Sequence, residues 1–402
     1  MSHRSQKFTP YLPTNNGGLS DLCLNVYRKS ASLGSRLHPI TKKAMVEFLR
    51  LTNSYYSNLI EGHYTRPVDI ERAIRNDFSP DPAVRNRQIE ARVHVEVQRQ
   101  IGENLNEVRI CGPEFICMVH RLFYERLPKD LRIVRNEDTG QERDVFPGLY
   151  RSAMVKVGRH IPPDPEDIPA LMERFFEVYT PAAFSGTDRL MAAAAAHHRL
   201  AWIHPFLDGN GRVARLFTDG YLALAGLDSY GLWTISRGFA RHRDRYVQFL
   251  ADAEAPRQGD LDGRGQLTQG GLDRFCLFFG QTCLDQITFM ESLLDIDGMV
   301  DRFKGYIELR NQKMIPGTSR IKPEAFYLLK EAFFTGQFAR GQSARITGLG
   351  QRTAQQVVSQ LVSEGILVSD TPKGPVRLGF CTDSAAYWLP DLLTPESGRP
   401  HG

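Results

Sequence analysis

A large charge of one sign is missing from this chain. Its 402 residues carry 50 Lys and Arg against 46 Asp and Glu, a formal net charge of +4. So small a surplus gives no general case for nucleic-acid binding and leaves open only a local basic patch. No uninterrupted apolar run approaches the ~20 residues needed to span a bilayer, so no membrane contact is expected. Cysteine is scarce: the six are Cys23, Cys111, Cys117, Cys276, Cys283 and Cys381, and none forms a Cys-x-x-Cys pair. A chain of this length needs no disulfide framework, and free thiols in a reducing compartment are the expectation. Met1 to Ser20 is polar and lacks an apolar h-region. It therefore reads as no signal peptide, and the expected location is cytoplasmic. Also absent are a Gly-x-Ser-x-Gly elbow, a Walker Gly-x-x-x-x-Gly-Lys-[Ser/Thr] loop and His-Glu-x-x-His, which leaves the corresponding enzyme classes without support.

What is present reads as helix. Apolar residues make up 42% of the chain and charged residues 24%, enough for a packed core in each of two or three domains. The predicted fold class is mainly α. Thr41 to Ile60 has apolar residues at helical spacing with Gly62 placed to stop it, and Pro67 to Ala73 reads as a shorter helix. Asp81 to Leu105 has an N-cap at Asp81 and proline at the first helical position. The pattern resumes at Gly112 and breaks at Pro128. Phe146 to Pro163 differs, being rich in Gly and Pro, with Val155 and Val157 alternating before Gly158. It reads as a hairpin or an exposed strand. Asp188 to Trp202, with its alanine run, reads as helix again, and a further helix starts near Gly211 and stops at Gly226.

Between those last two helices lies His204-Pro205-Phe206-Leu207-Asp208-Gly209-Asn210-Gly211-Arg212. A helix that opens on such a loop points unpaired backbone N–H groups and its positive end into one small space, which suits phosphate. Gly209 and Gly211 let the backbone approach an anion without Cβ interference. Arg212 and Arg215 lie three apart and reach the same anion from one face. Asn210 can donate to a non-bridging oxygen. Asp208 is a hard ligand suited to Mg²⁺, which usually takes one carboxylate plus substrate phosphates. His204 is the only group in the loop able to act as a general base near neutral pH. The alternative, a glycine turn between helices with surface arginines, accounts for a lone Gly-Asn-Gly but poorly for the whole string.

The string His204 to Arg215, H-P-F-L-D-G-N-G-R-V-A-R, resembles the Fic family pattern H-x-F-x-[D/E]-G-N-G-R-x-x-R at every fixed position. The resemblance implies a Fic helical core with a small β-hairpin flap, and transfer of AMP from ATP to a Ser, Thr or Tyr hydroxyl of a target protein. It assigns His204 to deprotonate that hydroxyl, Asp208 to Mg²⁺, and Gly209, Asn210 and Gly211 to a phosphate cradle. Arg212 and Arg215 then take the distal phosphates. Gly148-Leu149-Tyr150-Arg151, with Val155, Val157, Gly158 and Pro162-Pro163, is similar to the family's flap, where Arg151, Val155 and Val157 would meet the target by strand addition. Ser57-Asn58-Leu59-Ile60-Glu61-Gly62 is similar to its inhibitory motif [S/T]-x-x-x-E-[G/N]. Ser57 and Glu61 are four apart on one helical face. By the resemblance Glu61 pairs with Arg215 and holds basal activity low. His197, seven residues before His204 on the same helix face, reads as a satisfied core residue or one that supports the site, and not as a metal ligand.

After Ile321 three short helical stretches, Pro323 to Phe334, Ser343 to Leu349 and Arg352 to Glu364, precede Ile366-Leu367-Val368 and Val376-Arg377-Leu378. That is the order of a winged helix-turn-helix. The expected organisation is an N-terminal helical region carrying the inhibitory motif over 1–110, a Fic catalytic domain over 111–298, and the winged helix with its tail over 299–402. Beyond the target protein, a homodimer and DNA binding through the winged helix are the partner readings left open. Two other functions also stay open: removal of AMP by the same site, and a transcriptional regulator that uses the Fic domain as a nucleotide sensor.

Overall fold

The computed structural model describes residues 8–14, 17–105, 109–135, 140–228 and 231–394. It is mainly helical. The helices in chain order are α1 (Gly17–Ser35), α2 (Pro39–Ile60), α3 (Pro67–Ile74), α4 (Pro82–Asn104), α5 (Pro113–Tyr124), α6 (Ile168–Tyr179), α7 (Asp188–Ile203), α8 (Asn210–Leu224), α9 (Ile235–Arg241) and α10 (Arg243–Glu254). They continue with α11 (Gln269–Leu293), α12 (Ile296–Asn311), α13 (Ala325–Thr335), α14 (Ser343–Thr347), α15 (Gln351–Ser363) and α16 (Thr382–Trp388). Strands are few and short: β1 (Ile133–Arg135) pairs antiparallel with β2 (Glu142–Asp144), and β3 (Leu367–Val368) with β4 (Arg377–Leu378). No helix among the described residues is long and apolar enough to cross a membrane.

The chain divides into two compact units, Met1–Ala31 with Asn53–Ile287, and Ser32–Thr52 with Thr288–Gly402. In the first, α7 is the central helix, packed against α6, α8 and α10. Leu190 through Leu200 are all buried, including the alanines 192–196. The alanine run is small on every face and admits close neighbours, and the buried His197, His198 and Arg199 that follow it are each hydrogen-bonded. His197 is held within this core, its Nδ1 2.7 Å from Thr218 Oγ1 and its Nε2 2.8 Å from Tyr246 Oη. That agrees with the satisfied core residue read from the sequence.

Local signals set the helix ends that matter for the site. Asp81 caps α4 through its carboxylate, which accepts from Ala83 N at 2.8 Å and Val84 N at 3.3 Å. α2 stops where Gly62 takes φ +84° and His63 N donates to Asn58 O at 2.9 Å, a left-handed termination that leaves Glu61 just past the last turn.

In the second unit α13, α14 and α15 follow one another, then β3 and β4. Phe338, between α13 and α14, makes a reciprocal bridge with Val376 at 3.0 and 2.9 Å, adding a third short extended segment beside β4. α14 ends at Gly348 (φ +72°), and only Leu349 and Gly350 separate that residue from α15.

Candidate active site

The loop between α7 and α8 begins with a strained residue. His204 sits at the C-terminus of α7 in left-handed conformation, φ +50°, where a side chain other than glycine costs backbone energy. Its carbonyl accepts from Arg151 Nε at 2.8 Å, and Pro205 O accepts from Arg151 N at 2.9 Å. Burial comes first among the causes that lower the imidazole pKa to about 4, with the charges of His160 and Arg151 adding to it. The ring also hydrogen-bonds the Ala201 backbone. His204 is therefore neutral at physiological pH, the form a general base requires.

At the other end of the loop Gly209 caps α8 with φ +79°. A Cβ there would lie 2.6 Å from the Tyr124 ring, so both conformation and space call for glycine. The α8 N-terminus then presents the first-turn amides of Asn210, Gly211 and Arg212, which have no helical carbonyl to bond. Tyr124 donates its hydroxyl to Asp208 Oδ2 at 2.6 Å, and Arg212 reaches the same oxygen at 3.2 Å. Burial works against ionisation of Asp208, but Arg212, the Tyr124 hydroxyl and the Gly209 N–H outweigh it and hold the carboxyl below its ordinary range. Both side-chain bonds fall on Oδ2 while the side chain is 46% exposed, so a carboxylate oxygen faces the open side. One ionised, partly exposed carboxylate beside a helix N-terminus has the chemistry of a Mg²⁺ ligand, an ion that takes few protein ligands.

Arg212 is almost fully buried and forms a close ion pair with Glu90 of α4. Glu90 in turn lies 2.8 Å from His63 Nδ1. Arg215, one turn further along α8, is 2% exposed and turns toward α2. Its Nε donates to Ser57 Oγ at 2.9 Å, and its Nη2 to Ser57 O at 3.1 Å and Glu61 Oε1 at 2.5 Å. A Cβ on Gly211 would collide with that same Oε1 and lie 3.1 Å from Arg215 Nη1. The Glu61 carboxylate therefore rests on the first turn of α8, where an anion meets the helix N-terminus. Burial again opposes ionisation, and Arg215 with Arg212 overcomes it, so Glu61 is held charged below its usual range.

Two sequence expectations meet a different arrangement. Asn210 does not point its side chain outward: Nδ2 donates to Phe206 O at 2.8 Å and Oδ1 accepts from Phe206 N at 2.9 Å. The side chain closes the loop on itself, and Asn210 offers the cradle its backbone amide. The flap segment is not a paired hairpin either. Between Phe146 and Pro163 the ladder is one bridge, Val157 with His160, at 3.0 and 2.9 Å. Cross-strand pairing gives way to Arg151, 4% exposed, whose guanidinium donates to His204 O (2.8 Å), Ala153 O (3.0 Å) and Pro163 O (2.6 Å). Arg151 fastens the flap to the loop from inside; Val155 is half-buried and Val157 exposed. Phe146, Leu149, Met154 and Ile161 are exposed beside Val157.

Sequence reasoning missed His120, Tyr124 and Glu90. His120 stacks on Phe206 with ring centroids 3.9 Å apart and planes 10° off parallel, and on Tyr124 at 4.4 Å and 24°. Its Nδ1 accepts from Gly148 N at 2.8 Å, which leaves the proton on Nε2, 3.3 Å from Asp208 O. One ring thus joins flap and loop. These residues sit at ordinary core spacing on α4 and α5, and nothing local in the sequence marks them.

The loop from His204 and the first turn of α8, with Asp208, Arg212 and Arg215 beside them, form the candidate site of a helical domain. Residues 111–222 match the model of the Fic/DOC family. Similar curated proteins include Protein adenylyltransferase Fic of Drosophila willistoni, 38% identical over 133 residues, or 33% of this chain and 25% of that protein. Its Drosophila erecta counterpart is 39% identical over the same shares. The chain thus spans about a quarter of the length of the curated relatives it matches. Among solved structures, a Fic family protein from Desulfovibrio desulfuricans G20 covers 91% of this chain and 97% of its own, with TM-score 0.53 and 15% identity. A Fic domain-containing signaling protein from Bacteroides thetaiotaomicron covers 67% and 95%, with TM-score 0.50 and 20% identity. These two likenesses concern the fold.

Proposed function

We propose that the chain transfers AMP from ATP to a hydroxyl of a target protein, and that Glu61 holds this activity down at rest. The observation that carries the proposal is the Glu61 carboxylate on the first turn of α8, paired with Arg215 at 2.5 Å while neutral His204 stands at the other end of the loop. The name of the curated relatives, protein adenylyltransferase, supports the choice of group transferred.

In this reading the triphosphate lies along the α8 N-terminus, its charge met by the amides of Asn210, Gly211 and Arg212 and by the two arginines. Asp208 would hold Mg²⁺, which neutralises phosphate charge when bound. His204 takes the proton from the target hydroxyl as its oxygen forms a bond to the α-phosphorus. The bond from that phosphorus to the bridging oxygen breaks, and pyrophosphate leaves. The protein's part is alignment and charge compensation, with no covalent intermediate. Glu61 interferes by taking Arg215, so that ATP binds without the alignment the attack needs. The exposed apolar side chains of the flap, Val157 and its neighbours, supply an edge on which an extended target segment can lie.

The test is label position. Incubated with a lysate of its source, the Glu61→Gly protein is expected to move label to protein from ATP labelled at the α-phosphate and not from ATP labelled at the γ-phosphate. Equal transfer from both, or from neither, overturns AMP transfer. Release of AMP from a modified protein, lost in Glu61→Gly, would instead identify removal of AMP as the site's work.

A further inference from the structure

The second unit carries a surface that AMP transfer does not use. α15 buries Ala354, Val357, Val358 and Leu361 and turns Gln351, Arg352, Gln355, Gln356 and Ser359 outward. The helix QRTAQQVVSQLVS contains no acidic residue. An exposed helical face of this kind more commonly mixes Glu with Lys, which suits water and repels a polyanion. Glutamine, arginine, threonine and serine are instead the side chains that reach adenine, guanine and either base edge.

What surrounds α15 fits the same occupant. A cleft of about 570 Å³ runs beside it, lined by Arg320, Lys322, Thr353, Gln356, Gln360 and Asn311, with no Asp or Glu among the described lining residues. Arg320 is held against the helix because its carbonyl accepts from Gln360 Nε2 at 3.0 Å. Glu364, just past the end of α15, is neutralised by Arg310, which is fully buried and donates to both carboxylate oxygens at 2.7 and 2.9 Å. That pair also fixes the helix against α12. Gly348 to Gly350 makes the tight turn between α14 and α15. Beyond β3, the turn that carries exposed Lys373 is closed by Ser369 Oγ, which bonds Thr371 O at 2.9 Å and Pro375 O at 2.8 Å.

We infer that this face binds duplex DNA, with α15 in the major groove and Arg320, Lys322 and Lys373 placed to contact phosphates. A helix following a short turn, with basic side chains at its flanks, docks in that manner. The surface is only moderately basic, so the side chains facing the bases, more than net charge, must supply the discrimination.

The experiment is selection of a duplex pool with a randomised core on the full-length chain, followed by anisotropy titration of the enriched and scrambled duplexes. Enrichment of a defined sequence is expected, bound at least about tenfold more tightly than the scrambled duplex. Gln355→Ala with Gln356→Ala should erase most of that preference. Arg320→Ala with Lys322→Ala should weaken both duplexes alike and lower the salt slope by about two. All four side chains are largely solvent-facing, and unchanged thermal unfolding of each variant establishes that its fold is intact. Binding should persist in His204→Ala, which separates it from nucleotide transfer. No enrichment, or equal binding to both duplexes in every variant, overturns the inference. So does a dimer that Gln355→Ala with Gln356→Ala dissociates in the absence of DNA retention, which would make the face a protein interface.

Discussion

The Glu61 carboxylate meets the Arg215 guanidinium at 2.5 Å across 154 positions of sequence, with Ser57 on the same guanidinium. One turn further into α2, Asn53 Nδ2 donates to Asp219 Oδ2 at 2.6 Å and Asn53 Oδ1 accepts from Thr234 Oγ1 at 2.5 Å. The end of α2 is thus tied to α8 twice, at Arg215 and again at Asp219.

Cutting the second tie should loosen Glu61 without touching the cradle. Asn53→Ala is expected to raise basal AMP transfer several-fold, less than Glu61→Gly does. Initial rates of label incorporation measure it. An unchanged rate in a normally folded Asn53→Ala protein would mean that the Arg215 contacts hold α2 by themselves.

The pH dependence follows from His204. Its folded pKa is lowered to about 4 by burial, so the base form is already present at pH 5.5. With the ordinary histidine value of about 6.5, the base form would fall about tenfold between pH 7.5 and 5.5. In Glu61→Gly the rate at saturating ATP should stay within about twofold over that range.

Asp208 and Tyr124 divide the proposed Mg²⁺ site between ligand and support. Asp208→Ala should reduce transfer by at least about a hundredfold. Tyr124→Phe removes the 2.6 Å bond to Oδ2 and keeps the ring against Gly209. Its effect should be on metal affinity, about a tenfold rise in the Mg²⁺ concentration for half-maximal rate. A change in rate at saturating Mg²⁺ alone would contradict that assignment.

Arg151 is expected to act on stability as much as on targets. Arg151→Ala leaves three carbonyls, of His204, Ala153 and Pro163, without their donor. The cost should be about 2–4 kcal/mol in denaturant unfolding. Arg151→Lys should recover little of it, because one ammonium cannot span three acceptors around a planar fork.

The candidate site stands out in sequence because its groups are packed into one short string, His204 to Arg215, between two strongly helical stretches. Glu61 was legible because Gly62 stops its helix and Ser57 shares its face. The supporting shell was not. His120 and Tyr124 act on Asp208 from 88 and 84 positions away, and Glu90 on Arg212 from 122, as ordinary members of helix faces. Asn210 could face either way on local rules, and only the fold shows its amide closed onto Phe206. The alternating valines of the flap suit a hairpin or an exposed strand, and a buried arginine holds the segment in place of a ladder. β1 and β2 escaped notice because their side chains are largely exposed and charged, without the apolar alternation that marks a half-buried strand.

The most direct measurement compares three proteins, wild type, Glu61→Gly and Glu61→Gly with His204→Ala, each given α-labelled ATP, Mg²⁺ and the same lysate. Labelled protein is expected to be low for wild type, at least about tenfold higher for Glu61→Gly, and at background for the double variant. Equal labelling by wild type and Glu61→Gly, or labelling that survives the loss of His204, would contradict the account.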